Sequence, residues 1–316
     1  MTTYILRRIL IAIPILLGVT ILNFAIVNLA PGSPVDMILD PNATAESIEA
    51  KKEQLGLNDP IYVQYWHWLT NLLQGNLGYS YTTYEPVSSI LGDRLWPTIS
   101  LMGITLIVSL VVAIPLGIYS AVRQNSFLDY FATGSSFLAV ALPNFFLGLG
   151  LIYVFSVQLG VLPSGGMSAV GGDRSFFGNI LYYLMPVFVL ATGLIGKIMR
   201  FVRASVIEIL GQDYLRTARA KGLSEIIVVN KHAFKNALIP IITIIGLEIP
   251  MLFGGAVVTE QIFSWPGIGQ LTISSILSRD YSTLMAINLM AAVIVVVSNL
   301  LTDIAYSFVD PRIKYQ

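Results

Sequence analysis

Ile9-Leu10-Ile11-Ala12-Ile13-Pro14-Ile15-Leu16-Leu17-Gly18-Val19-Thr20-Ile21-Leu22-Asn23-Phe24-Ala25-Ile26-Val27-Asn28-Leu29 carries no charged side chain, and none follows before Asp36. A helix needs roughly 20 mostly apolar residues to cross the ~30 Å hydrocarbon core of a bilayer, because in lipid every backbone polar group must be satisfied within the segment. This stretch meets that requirement. Arginines at 7 and 8 precede it, as in a secretory signal, but the run exceeds the roughly 7–15 apolar residues of a cleaved leader. Pro31-Gly32-Ser33-Pro34 then reads as a turn at the membrane surface, so the window is expected to be an uncleaved anchor.

Five similar windows follow, at residues 98–120, 134–159, 177–197, 239–259 and 282–303, with Glu248 the one charge inside the fifth body. Six spans predict an all-α polytopic membrane protein, a single transmembrane domain over residues 1–316, with an outer cap loop at 30–97 and a second large loop at 200–238. Composition agrees. The chain is 55% hydrophobic and 11% charged, against about 25% charged in soluble domains. Its 18 bases and 18 acids cancel, so no net field draws nucleic acid. The absence of cysteine removes thiolate metal sites, iron-sulfur clusters and cysteine nucleophiles, and His67 and His232 are too few for an imidazole metal cluster.

Lysine and arginine concentrate in cytoplasmic loops. With the N-terminus inside, thirteen of the 18 bases fall on the cytoplasmic side, among them Arg123, Lys197, Arg200, Arg203, Arg216, Arg219, Lys221 and Lys235. Lys51, Lys52, Arg94, Arg174 and Arg279 fall outside. This asymmetry predicts both termini in the cytoplasm. In the acidic outer loop, Ile61, Tyr65, Trp68, Leu69 and Leu72 recur at helical spacing, which suits an interfacial helix. That helix would be either a docking surface for an outside partner or a cap over the helix ends. Asn42-Ala43-Thr44 fits a glycosylation sequon, a pattern too short to decide anything.

From Arg200 to Leu238 the chain carries seven bases and is divided at Gly211 and Gly222. At 39 residues it falls below the roughly 50 of an independent domain, so it is too small to be an ATPase itself. Charge alone is consistent with a basic loop on anionic headgroups. Enzyme chemistry is missing elsewhere too. The only Gly-Lys pair, Gly196-Lys197, has Ala191 where a phosphate loop needs its first glycine, and neither H-E-x-x-H nor G-x-S-x-G occurs. Glu248 is the candidate pathway or buried polar group, since a charge within a span faces the bundle or water. Pro14, Pro115, Pro143, Pro186 and Pro250 predict bends.

The order of residues in the basic loop goes further than its charge. Gln212-Asp213-Tyr214-Leu215-Arg216-Thr217-Ala218-Arg219-Ala220-Lys221-Gly222-Leu223-Ser224-Glu225, then His232-Ala233 and Asn236-Ala237-Leu238-Ile239-Pro240, resembles the coupling loop of ATP-binding-cassette importer permeases of the dipeptide and oligopeptide (DppB/OppB-type) branch. The likeness extends almost end to end: Tyr4-Ile5-Leu6-Arg7-Arg8, Gly75-Asn76-Leu77-Gly78, Pro143-Asn144-Phe145-Phe146, Phe263-Ser264-Trp265-Pro266-Gly267-Ile268-Gly269, Arg279-Asp280-Tyr281 and Val309-Asp310-Pro311-Arg312. The resemblance implies a type I importer transmembrane domain in a prokaryotic cytoplasmic (inner) membrane. It implies a second homologous permease, two ATPases that bind ATP and Mg, and an extracytoplasmic peptide-binding protein as partners, with no cofactor in this chain. The short helix around Thr217–Ser224 would be the coupling helix, its residues Arg216, Thr217, Ala218, Arg219, Ala220, Lys221, Gly222, Leu223 and Ser224 seated against one ATPase. Where the general importer pattern begins Glu-Ala-Ala, Arg216 and Thr217 stand at the first two places, with Ala218 and Gly222 kept. Peptides are the implied cargo, with nickel chelates, glutathione or sugars carried elsewhere in the family. An ion-driven secondary carrier is the alternative of another class, and it would favour paired intramembrane charges or inverted repeats. A non-transporting assembly scaffold is the third reading.

Overall fold

The structure, a computed structural model, describes residues 2–29, 35, 44–54, 56–168, 179–224, 227–228 and 234–309. Its first helices are α1 (Thr2–Leu29), α2 (Ala45–Gln54), α3 (Ile61–Leu73) and α4 (Val87–Val122). Then come α5 (Phe127–Ala141), α6 (Asn144–Leu151) and a π-helical continuation over Ile152–Gln158. α7 (Ile180–Leu210), α8 (Asp213–Ala220), α9 (Phe234–Ile262), α10 (Ile268–Leu277) and α11 (Tyr281–Val309) complete the order. No strand occurs among the described residues; Tyr79 and Pro86 form an isolated bridge. The turn at 31–34, Asn42-Ala43 of the sequon, Arg174, Glu225, His232-Ala233 and Asp310-Pro311-Arg312 lie outside the described residues.

Among the described residues, five helices are long and apolar enough to cross a membrane: Leu6–Leu29, Val87–Val122, Ile180–Leu210, Asn236–Ile262 and Tyr281–Tyr306. The third window, expected as one helix over 134–159, is instead a pair, α5 and α6 with its π-helical end, bent by 97°. The cause is local. Pro143 has no N–H to donate and disfavours helical backbone in the residue before it, and Leu142 is extended at φ −75°, ψ 123°. Pro14, Pro186 and Pro250 lie inside unbroken helices. A second difference concerns the loop expected to begin at residue 200: α7 runs on to Leu210, so Lys197, Arg200 and Arg203 are helical.

The chain divides into two compact units, one built from residues 98–265 and 297–316 and the other from 2–97 and 266–296. In the first unit α7 is central. Leu194, Ile198, Met199, Val202 and Val206 pack with Ala113 and Ala121 of α4 and with Ala237, Ile241 and Leu252 of α9. Small residues set the helix spacing: a Cβ at Gly196 would stand 2.7 Å from the Ser136 carbonyl oxygen, and one at Gly117 would stand 2.7 Å from Cβ of Val202. Trp265 is fully buried against Tyr183, ring centroids 4.6 Å apart and edge to face. Glu260, also fully buried, accepts a hydrogen bond of 2.7 Å from Thr98 Oγ1.

In the second unit, α3 lies on the C-terminal half of α1. Tyr65 stands edge-on to Phe24 at 5.4 Å, and its hydroxyl bonds with Thr20 Oγ1 at 3.0 Å. The α3 spacing seen in the sequence thus packs Tyr65, Trp68 and Leu69 inward, while Tyr62, Trp66 and Leu73 stay exposed. Asn23 of α1 donates to the Met285 carbonyl of α11 and accepts from Asn288. Asp280, just before α11, is buried and accepts from the hydroxyls of Ser80, Thr82 and Thr283 and from the amides of Tyr81 and Thr283. One carboxylate therefore fastens the 80–82 turn to the start of a spanning helix.

Candidate functional site

The candidate coupling residues occupy α8 and the turn after it. Gln212 is extended at ψ 144°, Asp213 supplies an acid to the first turn of α8, and Arg219 a base to the last, charges that complement the helix dipole. The helix therefore spans Asp213–Ala220, displaced toward the N-terminus from the Thr217–Ser224 expected. It stops because Gly222 adopts φ +78°, a left-handed conformation that costs a residue with a Cβ roughly 1–2 kcal/mol. The amides of Lys221, Gly222 and Leu223 fold back onto the carbonyls of Thr217, Arg219 and Ala218. Arg216, Thr217, Ala218, Arg219 and Ala220 are thus helical, and Lys221, Gly222, Leu223 and Ser224 form the turn.

Two contacts hold this helix in place. Leu215 is fully buried with Val228, against Ile209, Leu210 and Ala218. Tyr214 accepts a hydrogen bond of 2.9 Å from Asn236 Nδ2 at the start of α9. Arg216, Thr217, Arg219, Ala220, Lys221, Gly222, Leu223 and Ser224 are exposed, and Ala218 is half-buried. The ion pair from Arg216 to Asp213 within the helix, at 3.4 Å, joins two well-exposed side chains and so contributes little. The result is a short helix anchored on one side and basic on the other. Leu215 and Asn236 were missed as anchors, although Leu215 is the one aliphatic residue larger than alanine in the run Asp213–Gly222. Leu215→Ala should cost about 2–5 kcal/mol of local stability and loosen α8. Amide exchange across 213–220 should then quicken while α7 keeps its protection.

The same unit contains two ion pairs that join spanning helices. Arg203 of α7 grips Asp129 of α5 with two bonds, Nε to Oδ1 at 2.7 Å and a terminal nitrogen to Oδ2 at 2.9 Å. Asp129 is buried and also accepts from the Asn125 amide. Lys197 of α7 donates to Glu248 of α9 at 3.2 Å, with Glu248 8% and Lys197 40% exposed at the side chain. Arg200, between them, lies 4.6 Å over the Phe137 ring of α5. One basic stripe on α7 therefore meets acidic or aromatic partners on the helices to either side. Arg203→Ala would leave Asp129 buried without its partner, a cost of about 3–5 kcal/mol, so thermal unfolding in detergent should shift sharply downward. Arg203→Lys should recover only part, because an ammonium does not match two carboxylate oxygens at once. Among the described residues no group of His, Asp and Glu could hold a metal ion.

Known proteins with similar sequences share the whole length of the chain. The oligopeptide transport system permease protein AppB of Bacillus subtilis is 48% identical over 316 residues, covering 100% of each chain. The glutathione transport system permease protein GsiC of Escherichia coli (strain K12) is 37% identical, again over 100% of each. Among solved structures, the inward-facing MetNI methionine ABC transporter aligns with a TM-score of 0.59 and 16% identity, covering 71% of this chain and 97% of that one, a likeness of fold. Residues 1–102 match the N-terminal model of binding-protein-dependent transport system membrane components, and residues 113–315 match the inner membrane component model itself. Helices long enough to cross a bilayer, a core of paired charges between them and these matches have one reading: the chain belongs to the family of binding-protein-dependent transport system inner membrane components, multi-pass permease subunits that are not themselves enzymes.

Proposed function

We propose that this chain is a permease subunit of an ATP-driven, binding-protein-dependent importer of di- and oligopeptides. It forms half of the translocation path with a second homologous permease. Two cytoplasmic ATPases bind ATP and Mg, and an extracytoplasmic peptide-binding protein delivers cargo. Both termini lie in the cytoplasm, an orientation supported by the thirteen bases on that side of the chain. The observation that carries the reading is α8: a helix anchored through Leu215 and Tyr214 that leaves Arg216, Arg219 and Lys221 exposed. Such an element can seat against the carboxylates of a partner and pass its displacement to α7 and α9.

Support for peptide cargo is the 48% identity to a permease named for oligopeptides, against 37% to one named for glutathione. Purification from native membrane in mild detergent should yield a second six-span subunit and two ATPases, and liposomes holding that assembly with its binding protein should take up peptide only with ATP. Uptake by the chain alone, driven by an ion gradient, would overturn the proposal in favour of a secondary carrier.

A further inference from the structure

The unit of residues 2–97 and 266–296 carries an open recess of roughly 700 Å³, well away in sequence from α8. That volume falls within the roughly 300–1,000 Å³ of small-molecule sites. Its wall is formed by the C-terminal end of α1, the turn between α2 and α3, one face of α3, the 76–84 loop and the first turn of α11. Two properties of that wall bear on what it holds.

The first is charge. Among the described residues, the carboxylates lining the recess are Glu53 and Asp59, and no lysine or arginine lines it. A third carboxylate lies behind the wall: Asp280 binds Ser80 and the Tyr81 amide, both from lining residues. Burial first, and the Asp280 charge second, push the Tyr81 hydroxyl above its ordinary range. The second property is aromatic. Trp68, Tyr81, Tyr84 and Tyr281 line the recess, and the negative face of an aromatic ring attracts a cation, tryptophan most strongly. A bare metal ion does not fit this wall, since no group of His, Asp and Glu comes together to ligate one among the described residues.

We propose that the recess binds a small organic ammonium group, held by ring faces and by the carboxylates of Glu53 and Asp59. Two sources share that chemistry: the amino end of a peptide and the headgroup of an ethanolamine lipid. The ammonium site itself does not depend on α8 or on its partner, whereas its assignment to the amino end of a peptide rests on the importer reading.

The test uses the assembled permease complex in nanodiscs of phosphatidylglycerol, a lipid without an ammonium group. Binding of alanyl-alaninamide, whose only charge is its ammonium, is followed by thermophoresis beside its N-acetylated, uncharged form. The amine should bind and the acetylated form should not, and the Glu53→Gln, Asp59→Asn double variant should raise Kd at least tenfold. Both positions are exposed, so the double variant should keep its fold, and Tyr84→Leu, at an exposed ring of the lining, gives a second, aromatic reading of the same site. Adding phosphatidylethanolamine to the discs separates the sources. A raised apparent Kd that disappears in the double variant assigns the site to lipid, and an unchanged Kd assigns it to the peptide amine. Equal binding of the acetylated compound, or wild-type affinity in the double variant, overturns the proposal.

Discussion

Gly222→Leu is expected to lower ATP-driven uptake about tenfold while the chain still assembles in the membrane. Gly222 turns the chain at φ +78° directly after α8, and a Cβ placed there meets nothing within 4 Å of its own chain. Packing inside the subunit is therefore indifferent to the new side chain. The backbone is not: the left-handed conformation costs a branched residue about 1–2 kcal/mol, and about 1.4 kcal/mol is a factor of ten in the population of the turn. Gly222→Asn separates the two ways in which the glycine can matter, because asparagine tolerates this conformation better than leucine. Near-normal uptake with Asn and poor uptake with Leu identifies the turn as the requirement. Equal loss in both identifies a surface that a partner approaches closely. Wild-type uptake by the leucine variant, measured in liposomes with the complete assembly, removes α8 from the coupling path.

Asp280→Ala is expected to be the most destabilising substitution in the unit of residues 2–97 and 266–296. The alanine would orphan three hydroxyls and two amides that now converge on one carboxylate. An unsatisfied buried donor costs about 1–3 kcal/mol, and even with water rescuing most of them the loss should reach about 3 kcal/mol. Asp280→Asn retains an acceptor oxygen and should lose less. The check is the thermal midpoint in detergent together with protease cleavage in the 76–86 loop, which the carboxylate holds against α11. A midpoint unchanged in the alanine variant would mean that the loop is held by other contacts, such as the approach of Gly78 to Ser282.

Both substitutions fall in motifs that sequence comparison alone picks out, yet their roles differ in how far the residues announce them. Gly222 was legible as a break because glycine after a short helical run is the common way for a helix to end. Asp280 was legible only as part of Arg279-Asp280-Tyr281, since its partners Ser80 and Thr82 lie two hundred positions earlier and no local pattern connects them. The spans themselves were read from uncharged windows, and that rule has a built-in blind spot. It ends a helix at the first charge, so Lys197 was placed at the end of its span, Arg200 and Arg203 in the loop beyond it and Asp129 between spans. Glu248 then looked like the single charge in its surroundings. In the structure α7 continues for three turns past Lys197, and those bases find Glu248, Phe137 and Asp129 on neighbouring helices. A charge that is paired across helices costs far less than the isolated one the rule assumes. The bend at 142–143 was foreseen as one of five proline kinks; nothing in the residues alone distinguishes Pro143, which breaks its helix, from Pro186, which does not.

That bend carries a requirement of its own. α6 begins directly after Pro143 with no side chain capping it, so the amides of Asn144, Phe145 and Phe146 open its first turn without carbonyls behind them. Hydrocarbon cannot solvate such groups. Wherever the corner at Pro143 lies at bilayer depth, those amides therefore require water or protein polar atoms over them.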